Sequence, residues 1–179
     1  MKRNELKANI KTIEEKIKTY QQTLEKLREQ LNALDEQEKE REHYVSSKEI
    51  VDLIYKKVGR KINMSTIKRW ADEGYLGEVI DEKEKFWALQ SKQGKKRFIY
   101  PKIQAFTFLY EKGYLLPDFE VLDRVRVNDP GCPSVTGIVI DSDLVAGEFQ
   151  YTIQIEGTYE TMKEIKERYL TMEIGDVGE

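Results

Sequence analysis

One cysteine, Cys132, and one histidine, His43, are all that the 179 residues contain of those two types. Neither a disulfide framework nor a Cys/His metal site can be built from them within one chain. No stretch approaches the ~18 consecutive apolar residues that a spanning helix needs, which excludes a transmembrane helix. The first twenty residues are charged throughout, unlike a secretory signal, so a cytoplasmic protein off the membrane is expected. Also missing are a glycine-rich phosphate loop, a Ser or Cys nucleophile at a recognised spacing from a histidine, and a carboxylate cluster on a catalytic scaffold. Asp141 and Asp143 are expected to be solvated charges in a turn. A non-enzymatic protein without cofactor or metal follows as the expectation.

What the chain does have is charge, and the charge is segregated. The net −3 of the whole resolves into roughly zero over residues 1–43, +6 over residues 44–116 and −9 over residues 117–179. Such asymmetry predicts that the middle meets an anion and the end does not.

No glycine or proline falls within residues 1–43, and the helix formers Glu, Lys, Gln and Leu dominate them. Apolar residues recur there at alternating spacings of three and four. Ile10, Ile17, Leu24 and Leu31 take position a of a heptad, and Leu6, Ile13, Tyr20, Leu27 and Leu34 take position d. Residues 1–43 are therefore expected to form a coiled-coil oligomerisation helix, on the order of 60 Å long at ~1.5 Å per residue. Two chains are expected, with a trimer or antiparallel pairing left open, because Ile13 at d and Leu24 and Leu31 at a depart from the simplest dimer rule. The flanking residues Glu14, Lys16, Gln21, Thr23, Arg28 and Gln30 make few opposite-charge pairs in parallel register.

In the basic middle, Ser46 and Glu49 stand at the spacing of a capping box, and Ile50, Val51, Ile54 and Val58 then share one helical face as far as Gly59. The turn Gly59-Arg60-Lys61-Ile62-Asn63 leads to a second helix start at Asn63. Met64, Ile67, Trp70 and Ala71 make the inward face of that helix, which Gly74 ends. Ser65, Thr66 and Arg69, with Lys68 beside them, fall on the outward side. Hydroxyls and a guanidinium near a helix start suit base edges and phosphates.

The run Ser65-Thr66-Ile67-Lys68-Arg69-Trp70-Ala71-Asp72-Glu73-Gly74-Tyr75-Leu76 resembles the second helix of MerR-like and excisionase-like winged helix-turn-helix domains. Gly94-Lys95-Lys96-Arg97-Phe98-Ile99-Tyr100 is similar to their returning wing strand, and Pro101 to Gly113 to the helix after it, with Ile103, Phe106, Leu109 and Tyr110 inward. The resemblance covers residues 44–116. It implies double-stranded DNA binding by Ser65, Thr66, Lys68 and Arg69 in the major groove, with Arg60 and Lys61 beside them and Lys92, Lys95, Lys96 and Arg97 on flanking phosphates. The chain departs from the family in two ways. The stretch from Gly77 to Arg97, with its acids Asp81, Glu82 and Glu84, is longer than a compact wing, and the coiled coil precedes the DNA domain where MerR regulators place it after. RNA is a second possible ligand, since Phe86, Trp87, Phe98 and Tyr100 could stack bases, although their apolar neighbours point to core.

After Leu116-Pro117 the pattern alternates with period two through Val125 and Val127, Val135 to Ile140, and Phe149 to Ile155, punctuated by Gly131, Gly137, Gly147 and Gly157. Asp123-Arg124-Val125-Arg126-Val127, Thr136-Gly137-Ile138-Val139-Ile140 and a late turn between Ile165 and Leu170 resemble a KOW or Tudor SH3-like barrel. Val125, Ile138 and Tyr151 are expected in its core and Cys132 in a turn. The acidic charge of residues 117–179 suits a protein partner.

The expected architecture is thus multidomain α+β, with a coiled-coil helix, a winged helix-turn-helix and a small SH3-like β-barrel. The expected function is that of a self-associating DNA-binding protein, a transcriptional regulator or a mobile-element or phage accessory factor. The alternatives are a protein-interaction adaptor or inhibitor, and a phage-type DNA-packaging or replication accessory protein.

Overall fold

The computed structural model describes residues 2–89 and 94–174. It is an α+β chain with a long N-terminal helix and two antiparallel sheets. Two compact units divide it, one of residues up to Tyr44 together with Asp81–Arg97, the other of Val45–Ile80 with Phe98–Glu179. Among the described residues no helix is long and apolar enough to cross a membrane.

In the first unit α1 runs over Lys2–Arg41 without burying a single residue. The helix is continuous because nothing in the segment breaks it, and its heptad residues from Leu6 to Leu31 are 48–71% exposed. Among the described residues only the last turns of α1 are covered within this unit. The Gln37 side-chain oxygen accepts from the Ala88 amide at 2.9 Å, and Lys85 pairs with Glu40 at 2.8 Å. Phe86, fully buried, meets the Tyr44 ring edge-on. Glu82, in the short helix α4 (Glu82–Lys85), is buried, and its carboxylate is held at 2.8 Å by Arg41 Nε. Part of the acidic run from Asp81 to Glu84 is therefore structural, since a buried charge requires a partner.

The second unit carries one continuous apolar core running from Val45 to Leu170, through residues on both sides of Leu116-Pro117. Helix α2 (Ser47–Val58) opens on the full capping box, with Ser46 accepting from the Glu49 amide and Glu49 accepting from the Ser46 amide at 2.7 Å. It closes on Gly59, whose φ of 67° lies in the left-handed region that glycine occupies without strain. Ile50 and Ile54 are fully buried. Helix α3 (Met64–Asp72) buries Ile67, Trp70 and Ala71, as the 3.6-residue period requires. Met64, expected inward, is instead 54% exposed, because the first helical residue projects past the core that Ile67 and Trp70 fill.

Strands β1 (Tyr44–Ser46), β2 (Ile80–Asp81) and β3 (Phe98–Pro101) form a small sheet in the order β1-β3-β2. Tyr100 is buried there and Phe98 is exposed; Trp87 of the first unit is exposed too. Helix α5 (Lys102–Glu111) faces the core with Ala105, Phe108 and Leu109. Ile103 and Tyr110, expected inward, are exposed and Phe106 is half-buried. Apolar side chains surround this helix, and the face carrying small Ala105 is the one that packs most closely.

The remaining strands are β4 (Arg124–Val127), β5 (Val135–Val145), β6 (Glu148–Ile155), β7 (Thr161–Lys166) and β8 (Leu170–Met172). They pair in the order β7-β6-β5-β4-β8, so the sheet is open, with β7 and β8 as its edges rather than closed as a barrel. Only three residues long, β8 is spent on its pairing with β4. A 3-10 turn, Glu167–Tyr169, precedes β8. Val125, Val127, Val139, Tyr151 and Ile153 point into the core. Ile138, expected there, lies on the outer face with Ile140, since adjacent strand residues point to opposite sides. Asp141 and Asp143 also differ from expectation: they lie within β5, which continues through a register shift after Val139 and turns only at Ala146-Gly147. Outward carboxylates are compatible with a strand, so their polarity was not a turn signal.

Candidate nucleic-acid interface

The six expected DNA-binding residues of the second unit fall on the α2–α3 turn and on α3 itself. Arg60, Lys61, Ser65, Lys68 and Arg69 are exposed and Thr66 is half-buried. Their support lies directly beneath. Trp70 packs edge-on against Phe108, with ring centroids 5.2 Å apart, and at 5.3 Å against Tyr114. Such aromatic packing fixes the rotation of α3 about its own axis, leaving Lys68 and Arg69 on the side away from Trp70. In the turn, the Arg60 guanidinium lies 5.6 Å from the Tyr114 ring centre and the Lys61 ammonium 6.0 Å from that of Tyr55. Both cations thus rest on aromatic faces while their charge remains unneutralised.

The start of α3 adds a further polar feature. Asn63 is its N-cap but makes no side-chain capping bond. The first backbone bond of the helix runs from the Thr66 amide to the Asn63 carbonyl at 2.9 Å. The amides of Met64 and Ser65 come before that bond, at the positive end of the helix dipole, where a phosphate oxygen can be received.

Elsewhere in the unit four cations are held by carboxylates. Arg124 pairs with Glu156 at 2.8 Å, Arg126 with Glu173 at 2.7 Å and Lys166 with Glu148 at 3.0 Å. Lys57, nearly buried on α2, pairs with Asp118 at 2.6 Å and Glu167 at 3.2 Å. Among the described residues none of Arg60, Lys61, Lys68 and Arg69 is in an ion pair.

Lys95, Lys96 and Arg97 belong to the first unit, so they form a separate group. All three are exposed. Lys96 pairs with Asp81 at 3.1 Å, and the Arg97 carbonyl accepts from the Glu82 amide at 3.0 Å. Burial raises the Asp81 carboxyl, but the Lys96 hydrogen bond and the Lys83 amide outweigh it and hold the carboxyl below its ordinary range. Lys92 lies outside the described residues.

No family model, no curated protein and no solved structure matches the chain.

Sequence reasoning did not foresee the polar cluster around Lys57. Burial pulls its ammonium down, yet the hydrogen bonds to Asp118 and Glu167 outweigh burial and hold it above the ordinary lysine range. The Tyr151 hydroxyl donates to Glu167, and burial together with that carboxylate pushes the phenol well above its usual value. A signal was present in the sequence: Lys57 follows Ile50 by seven residues and Ile54 by three, so the helical period places it on the buried side. The cluster ties α2 to the open sheet through charge as well as through the shared core. On the outer face of β5, β6 and β7 a shallow depression is lined by Asp141, Asp143, Gln150, Thr152, Lys163 and Glu164. The carboxylates of Asp141 and Asp143 accept from the amides of Ser142 and Leu144. Among the described residues no group of three or more His, Cys, Asp or Glu is placed to hold a metal ion.

Proposed function

We propose that the protein is a self-associating, non-enzymatic DNA-binding protein, a regulator or accessory factor acting on DNA, that lays α3 in the major groove. The observation that carries the reading is the clustering of four exposed cations, Arg60, Lys61, Lys68 and Arg69, on one turn and one helix, none of them in an ion pair among the described residues. Two short helices joined by a five-residue turn, followed by a small sheet and a further helix, support a winged helix-turn-helix. In this reading Arg69 and Lys68 reach base edges, while Arg60, Lys61 and the amides that open α3 hold phosphates. Self-association is supported by the uncovered heptad seam of α1. For the C-terminal strands, an SH3-like arrangement is supported by the meander β4 to β7, the 3-10 turn and the return of β8 to pair beside β4.

A gel shift at physiological salt tests the reading. Lys68→Ala with Arg69→Ala is expected to abolish specific binding and leave thermal unfolding unchanged. Unchanged affinity in the folded variant would sink it. Wild-type affinity is also expected to fall linearly in log salt, since phosphate contacts release counterions.

A second reading concerns the open sheet alone. Ile138 and Ile140 are exposed on one face of β5, and exposed Leu122 donates its amide to the Val139 carbonyl. An apolar surface within an acidic segment favours a protein partner over nucleic acid there.

A further inference from the structure

The heptad of α1 has two edges, and they differ. Positions e carry Lys7, Glu14, Gln21, Arg28 and Asp35, which reads as plus, minus, neutral, plus, minus. Reversed, that series becomes its own complement about Gln21. Positions g carry Asn9, Lys16, Thr23, Gln30 and Gln37, a single charge. In a parallel pair each g residue faces the e residue of the following heptad, and those pairings bring together no opposite charges: Asn9 with Glu14, Lys16 with Gln21, Thr23 with Arg28, Gln30 with Asp35. When one helix is reversed, e lies along e and g along g.

We propose that α1 pairs with a second copy of itself in antiparallel orientation, with the two-fold axis beside residue 22. The inference rests on the self-association proposed above and specifies its form. In this register Lys7 meets Asp35 of the second copy, Glu14 meets Arg28, and Gln21 meets Gln21; symmetry doubles each ion pair. The apolar layers close as well. Ile10 packs with Leu34 of the second copy, Ile13 with Leu31, Ile17 with Leu27, and Tyr20 with Leu24, so each isoleucine opposes a leucine. Sliding one heptad in one direction places Lys7 beside Arg28, and sliding in the other places Glu14 beside Asp35. The seam tolerates several registers, and the charges select one. All four charged residues are exposed, and among the described residues none has an ion-pair partner within its own chain. The second copy thus supplies the partners these charges lack.

The test uses the full chain with exposed Cys132 replaced by serine. Light scattering is expected to give two copies. A spin label on Ala8→Cys lies level with residue 36 of the second copy, so the two labels are expected ~40 Å apart at ~1.5 Å per residue. A parallel pair brings them within roughly one helix-pair width, on the order of 10–20 Å allowing for the label arms. Mixing Ala8→Cys with Glu36→Cys protein is expected to give the short distance. Glu14→Arg or Arg28→Glu alone sets like charges together twice and is expected to weaken the dimer about tenfold, while the two substitutions combined restore it. Both are good helix formers, so the helix itself is preserved. Two copies with a short Ala8 to Ala8 distance overturn the antiparallel pairing and leave self-association standing, as do single charge reversals without effect. Three or more copies also overturn the pairing. A monomer at micromolar concentration overturns self-association itself, and with it this inference.

Discussion

The α2–α3 segment and the five-stranded sheet draw on one apolar core, yet they differ in how much of their positive charge is paired. In the sheet, three of the four strand cations, Arg124, Arg126 and Lys166, each lie within 3.0 Å of a carboxylate, and Lys163 is the exception. On the turn and α3, four cations have no ion pair among the described residues, and two of them rest on aromatic rings. Counting basic residues would make both regions candidates for an anion. The pairing state separates them, because a neutralised arginine offers a phosphate little that its carboxylate does not already take.

Both regions depend on the core they share, so damage to it is expected to reach both. Gly137 is buried in β5, where a Cβ would overlap the Gln154 carbonyl oxygen and the Ile153 side chain. Gly137→Val is expected to cost about 3 kcal/mol or more and to lower the melting of α3 and the sheet together in thermal unfolding followed by tryptophan fluorescence and circular dichroism. Separate transitions would show that the core is not cooperative across Leu116-Pro117.

Next in size comes the functional contrast. Lys68→Ala with Arg69→Ala is expected to reduce affinity for a selected DNA site at least tenfold in a gel shift, an arginine–guanine contact alone being worth ~1–3 kcal/mol. Arg124→Gln with Arg126→Gln is expected to leave it unchanged. Equal losses from the two variants would erase the distinction.

Lys57 is a cation of α2 that is paired like Arg124, Arg126 and Lys166 of the sheet. Lys57→Met is expected to cost about 2 kcal/mol by chemical denaturation, because it removes the cation that Asp118 and the Oε1 of Glu167 share. The same cluster sets a smaller pH effect. Burial raises the Asp118 carboxyl, but Lys57 outweighs it and leaves that carboxyl below its ordinary range of 3.8. Its contribution is therefore present above that value and lost as pH falls through the lower folded-state value. Lys57, raised above 10.5, contributes below that value and loses its contribution as pH rises through the folded one. Acid and alkaline melting curves of Lys57→Met are expected to be flatter at both ends than those of the wild type. Smallest of all, Glu156→Gln, which removes an exposed pair with Arg124, is expected to leave the melting temperature unchanged within error.

Legibility from the sequence followed how many constraints agreed at a position. Residues of α1 lack glycine and proline and are rich in helix formers, so the helix is readable from the sequence. Ser46, Glu49 and Gly59 mark the two ends of α2 by local chemistry that needs no tertiary contact. In the candidate site, Lys68 and Arg69 were placed outward because Ile67, Trp70 and Ala71 fix the inward face. Where a second constraint was missing, the reading slipped. In α5 every side carries an apolar residue, so periodicity could not choose between Ile103 with Tyr110 and Ala105 with Phe108. The two carboxylates of Asp141 and Asp143 carry the polarity of a turn, although the strand continues beneath them. The Lys57 cluster depends on Asp118 and Glu167, which lie 61 and 110 residues away, and no local pattern encodes such a meeting.

The uninterrupted length of α1 has one further consequence. Joined antiparallel, two such helices form a rod whose chains leave it at opposite ends, so the separation of the exits is set by the number of residues in the helix. Each heptad inserted or deleted symmetrically about the midpoint changes that separation by ~10 Å, the rise of about three base pairs of duplex DNA. In the proposed pairing, helix length therefore sets the separation of the two chain exits, a quantity adjustable in steps of seven residues without altering any residue outside α1.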